Sequence, residues 1–145
     1  MANRIVLHYA DGRIIKGNGY DFSPDRPSFH LLPLNAQGLD KVVDVKLKQL
    51  KAVFFVRTFE GNPDYRERKE FATHETPYGN RISIKFKDGE VMVGSTAGYD
   101  LDRLGFFFFP ADPDCNNLRV FVISSAVESI TEIEKPAQPL TEEAE

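Results

Sequence analysis

A chain of 145 residues that is 41% hydrophobic, with twelve Phe, can build a packed core and does not have the composition of a disordered protein. Its net charge of −4 speaks against broad affinity for nucleic acid. No apolar run approaches the roughly 20 residues of a membrane span, and the opening residues carry no signal-peptide core, so a cytoplasmic location is expected.

The first element is a strand: Ile5, Leu7 and Tyr9 alternate with Val6 and His8 at the period of a half-buried ladder. Asp11-Gly12 then supplies a tight hairpin turn. A second strand over residues 13–17 ends at Gly17, where a bulge or sharp bend is expected. A polar turn over residues 21–27 leads to a third strand, residues 28–32, stopped by Pro33. The fourth strand covers residues 42–47, and a 3-10 step at Lys48-Gln49 opens into the fifth, residues 51–56. Residues 58–80 mix charges, turn formers and the aromatics Phe59, Tyr65, Phe71 and Tyr78, the pattern of an ordered strap.

At residue 81 the pattern begins again. A shift of 77 carries Arg4, Ile5, Asp11, Gly12, Gly17, Asp25, Arg26, Phe29 and Pro33 onto identical residues, nine of thirty positions without a gap. Chance would give roughly two. The shift persists through Val43/Val120, Val45/Val122, Leu50/Val127 and Val53/Ile130. A second set of strands is therefore expected near residues 82–86, 90–94, 105–109, 119–123 and 128–133. Residues 134–145 have the composition of a disordered acidic tail.

The fold expected is all-β: two tandem five-stranded small barrels from an internal duplication, residues 1–57 and 81–133, since a short sheet can remove its edges by closing. The opening strand, the Asp-Gly turn, the second strand ending in glycine and the late strand at Leu50–Val53 resemble SH3-like barrels of the Sm-like variant. The wording of residues 50–61 and 105–122 also resembles an uncharacterised bacterial protein family, a resemblance that implies the two-unit architecture and no activity.

Residues 4–56 carry a charge of +3 and residues 81–133 a charge of −3. Either the first unit meets an anionic partner, or opposite charges help the two units sit together. The Asp25-Arg26 pair recurs as Asp102-Arg103; each Arg could take a phosphate or carboxylate, or each pair could simply serve its turn. In Phe106–Phe109 alternate rings face opposite sides, and one core can accept only one pair. Phe107 and Phe109 must therefore pack on the first unit, on the strap or on another molecule, and Phe55 in Val53–Val56 raises the same question.

No catalytic constellation is expected. His8 and His30 lack a second ligand at metal spacing and a nucleophile, and Cys115 lies in an acidic turn that does not favour a thiolate. No metal or cofactor site is indicated. Asp21-Phe22-Ser23-x-x-Arg26 faintly resembles half of the cyclic-dinucleotide motif of PilZ barrels, but Arg26 stands where glycine belongs and the arginine half is missing. The expected function is a non-catalytic module for a protein partner in bacterial signalling or regulation, with Phe55, Phe107 and Phe109 as contacts. The alternative is an Sm-like nucleic-acid or nucleotide binder using Arg26, Lys46, Lys48, Lys51 and Arg103. An enzyme assembled by the fold from Asp, His or Arg is the least favoured reading.

Overall fold

The computed structural model describes residues 3–34, 41–61, 64–66 and 79–133. Its strands are β1 (Asn3–Tyr9), β2 (Ile14–Gly19), β3 (Ser28–Pro33), β4 (Val43–Lys46), β5 (Leu50–Val56), β6 (Asn80–Phe86), β7 (Val91–Thr96), β8 (Gly105–Pro110), β9 (Asn117–Ile123) and β10 (Val127–Glu132). Short 3-10 turns, Leu47–Gln49 and Ser124–Ala126, precede β5 and β10. No helix of the described residues is long and apolar enough to cross a membrane. Most of the expected strap and the whole of the expected acidic tail lie outside the described residues.

The protein is all-β, and its ten strands form one antiparallel sheet in the order β10-β6-β7-β8-β9-β5-β1-β2-β3-β4. Two separate five-stranded sheets would have ended at β5 and β9, but those strands pair with each other, Val53 opposite Phe121 and Phe54 opposite Val120. The reason lies in their composition. Leu50–Val56 is buried along its whole length, so it needs neighbours on both faces and both edges.

The pairing within the two halves is the same at a shift of 77. Ile5 faces Gly17 and Ile82 faces Gly94, while Leu7 faces Val53 and Ile84 faces Ile130. Even the irregularities coincide, since the ladders skip Lys51 in β5 and Glu128 in β10. The Asp-Gly turns are built alike. Gly12 and Gly89 have φ of +99° and +96°, where a side chain would be strained. Asp11 and Asp88 each accept the backbone N–H two residues on, at 3.0 Å.

Gly17 and Gly94 mark close approach rather than strand ends, for β2 and β7 run on to Gly19 and Thr96. A Cβ on Gly94 would lie 2.1 Å from the Phe109 carbonyl oxygen, and one on Gly17 would lie 2.4 Å from that of Leu32.

Two apolar clusters share the central strands. Ala52, Phe54 and Val56 of β5 join Val120 and Val122 of β9 in one cluster with Ile82, Ile84, Phe86 and Phe108. The alternate residues, Val53 and Phe55 with Phe121 and Ile123, join Ile5, Leu7, Phe29 and Leu31 in the other. Each half of the sheet thus completes its core with side chains from the other half.

Candidate functional site

The turn between β2 and β3 places Phe22 at the centre of an aromatic cluster. Its ring centroid lies 5.3 Å from Phe29, 5.3 Å from Phe55, 5.2 Å from Phe121 and 6.1 Å from Phe107. Phe107 and Phe121 meet edge to face at 5.1 Å, and the Arg119 guanidinium lies 4.3 Å over Phe55 and 4.8 Å over Phe107. Burial lowers the Arg119 pKa from its ordinary value. This cluster covers most of the surplus aromatic surface of β5 and β8. Phe55 is 3% exposed and so supports the site from beneath, which removes it from the expected contact surface.

Phe107 and Phe109 instead line an open groove of about 410 Å³ where the halves meet. Pro24 and Asp25 form its wall on the first half, and Tyr99, Asp100 and Arg103 form the opposite rim. The rim is held by matched turns. The Arg26 N–H donates to the Ser23 carbonyl at 3.2 Å, and the Arg103 N–H donates to the Asp100 carbonyl at 3.0 Å. The Asp25 N–H donates to Ser23 Oγ, and the Asp102 N–H donates to Asp100 Oδ1. The capping oxygens belong to Ser23 and Asp100, so neither Asp25 nor Asp102 is consumed by its turn. Thr96 Oγ1 donates towards the Phe107 carbonyl at 2.7 Å and ties the floor to β7.

The five basic residues expected to hold an anion do not converge. Lys46 Nζ donates to Asp44 at 2.6 Å on the sheet edge. Lys51 is 7% exposed, donates to Asp88 at 2.7 Å and to Glu90, and stands 4.8 Å over the Phe86 ring. Its charge is spent on the β6–β7 hairpin, which excludes it from an anion site. Burial lowers its pKa, but the bonds to Asp88 and Glu90 prevail and the net direction is up. Arg26 is exposed on its turn. Only Lys48 and Arg103 share a feature, a second basin of about 510 Å³ also lined by Asp102, Ser124 and Ser125. Neither cation has an acidic partner among the described residues, and Ser124 Oγ is buried there with no hydrogen-bond partner.

The histidines differ. His8 packs tilted against Phe54 with ring centroids 4.5 Å apart, and burial followed by Lys51 lowers its pKa. His30 lies on the surface with Nδ1 2.6 Å from Asp21 and Nε2 4.0 Å from Asp44. The Asp21 hydrogen bond raises its pKa. Tyr65 donates to Asp112 at 2.5 Å, which pushes its pKa up to about 12. Cys115 is buried, its thiol directed to the Asn117 carbonyl at 3.5 Å. Among the described residues no three His, Cys, Asp or Glu side chains are grouped to hold a metal.

A family model matches residues 1–134. The chain belongs to DUF6982, a family of unknown function. Neither the curated proteins nor the solved structures give a match. For this DUF6982 chain, Phe22 and Arg119 are the site residues that sequence reasoning passed over. The signal for Phe22 was available, because the shift of 77 carries it onto Tyr99, the aromatic residue on the facing rim of the groove.

Proposed function

We propose that this protein is a non-catalytic interaction module that binds a segment of a protein partner in the groove lined by Phe107 and Phe109. The single observation that carries this reading is the groove itself, an aromatic floor from the second half faced by Pro24 and Asp25 of the first, with Asp100 and Arg103 at its rim. Such a floor anchors apolar side chains, and the rim charges set the register of the bound chain. In this reading the two halves are Sm-like units descended by duplication, and the common registers at a shift of 77 support that descent. The β2–β3 turn of the first half closes one side of the groove with Pro24 and Asp25.

The test is a photo-crosslinking amino acid placed at Phe109, in intact host cells. A discrete protein adduct that disappears when the same group is placed at the distant Lys87 supports the reading. Equal labelling from both positions, or none, rejects it.

A second reading has its own observation, the basin that brings Lys48 and Arg103 together, with Asp102 also on its lining. It fits a phosphate of a nucleotide or nucleic acid. Binding there must weaken steeply with salt, and loss on Lys48→Ala with Arg103→Ala distinguishes it from the groove at Phe109.

A further inference from the structure

Strand β10 ends beside the groove. Glu132, its last residue, pairs with Ile82 of β6, and Asn80 at the start of β6 pairs with Thr96 at the end of β7. Thr96 to Asp100 then line the groove. The end of β10 and that wall thus stand at the same end of the sheet, and they touch: Tyr99 Oη donates to Glu132 Oε2 at 3.4 Å. The Ile133 N–H donates to the Arg81 carbonyl at 2.9 Å and holds the chain at this point.

The sequence then continues as Glu134-Lys135-Pro136-Ala137-Gln138-Pro139-Leu140, followed by Thr141-Glu142-Glu143. Extended, residues 134–140 reach about 24 Å. That length is ample for a groove of about 410 Å³ whose rim Glu132 already meets.

We infer that residues 134–140 dock back into the groove of their own chain, with Pro136, Pro139 and Leu140 against Tyr99 and Phe107, and so compete with the partner for it. The competition rests on the groove being the partner's site, as proposed above; the docking does not.

Three features favour this occupant. The first is the tether, since a short linker gives its segment an effective concentration on the order of 1 mM, well above that of any second copy of the chain in dilute solution. The second is apolar chemistry. Tyr99, Phe107 and Phe109 are only half-buried, and Pro136, Pro139 and Leu140 can cover aromatic rings. Each proline has its φ already fixed, which reduces the ordering cost of docking. The third is charge. Asp25 and Asp100 are exposed and have no cationic partner among the described residues. Lys135, the one cation of residues 134–145, enters beside Asp100 two residues after Ile133. Glu142 and Glu143 follow the apolar stretch and suit Arg103, which likewise has no acidic partner among the described residues.

The experiment compares amide NMR spectra of the full chain and of the full-length triple variant Pro136→Ser, Pro139→Ser, Leu140→Ser. The readout is the amides of Asp25 and Phe107, which are remote in sequence from the substituted residues. Both are expected to shift between the two proteins, by amounts independent of protein concentration. A synthetic peptide of residues 134–145 added to the triple variant is expected to move them back to the wild-type positions. The same peptide is expected to bind wild type about tenfold more weakly, as a tethered competitor near 1 mM requires of a peptide with a Kd of about 0.1 mM. Unchanged Asp25 and Phe107 amides overturn the inference, as does equal peptide binding by the two chains. Shifts that grow with protein concentration overturn it too, because the segment then reaches a second copy. The crosslink at Phe109 separates this result from the groove reading. An adduct with unchanged amides keeps the reading and rejects the docking, and shifted amides with no adduct from either chain do the reverse. Where both hold, the triple variant gives the stronger adduct, and equal adducts reject the competition.

Discussion

Phe121 lies in the second half of the sequence but is 1% exposed within the apolar cluster of the first half. Truncation to Ala removes its edge-to-face contacts with Phe22 at 5.2 Å and Phe107 at 5.1 Å and leaves a cavity against β5. A buried Phe→Ala change costs about 3–5 kcal/mol, a large part of the 5–15 kcal/mol that holds a domain together. For a chain of this size that corresponds to a fall in Tm on the order of 10 °C. Calorimetry should show one transition in both proteins, moved down as a whole. Native-state hydrogen exchange adds the location: the amides of Leu7 and Leu31, far from residue 121 in sequence, should lose protection alongside those of Ile82 and Ile84. Two separated transitions, or exchange that quickens only in the second half, would refute the argument that the halves share one core.

Other outcomes follow from the same geometry. Lys51→Met should cost no more than about 1 kcal/mol, since Asp88 and Glu90 are half exposed and can be solvated without it. The pair Asp88→Asn with Glu90→Gln leaves the ammonium buried and should cost several-fold more in urea unfolding. Gly94→Ala should unfold the β7–β8 pairing or lower stability by several kcal/mol, roughly as an overpacked core does, because its Cβ meets the Phe109 carbonyl. In an NMR titration His30 should protonate above 6.5 and His8 below it. The raised His30 value means that its clamp contributes in full below 6.5 and fades as pH rises through the folded-state value. His30→Asn should remove that pH dependence, which a urea series across pH 5–8 would read.

The repeat, the Asp-Gly turns, the 3-10 step before β5 and the alternation of β1, β6 and β8 were open to reading because each depends on local chemistry. Asp11 and Asp88 carry their turns in four consecutive residues, and periodicity alone assigns Ile82, Ile84 and Phe86 to one face. The join between β5 and β9 was not open in the same way. Val53–Val56 and Phe106–Phe109 signalled more apolar surface than one core could take, but a surplus does not say which strand covers it. The charge difference also had a partly local cause that only the fold reveals. Arg13 pairs with Asp11 at 2.9 Å in the first hairpin, whereas its counterpart Glu90 turns to Lys51 of the other half. The sign at that position follows the neighbour that the sheet provides. Lys51 looked available for an anion because its partners lie 37 and 39 residues away, beyond the reach of any local pattern.

The most direct test of the interaction-module reading is affinity capture of the tagged chain from its native host, set beside Phe109→Ser, each with and without nuclease. The account predicts a protein that co-purifies with the wild type, survives nuclease and is lost with Phe109→Ser. Recovery of nucleic acid with a nuclease-sensitive retinue, or identical captures from both chains, would contradict it.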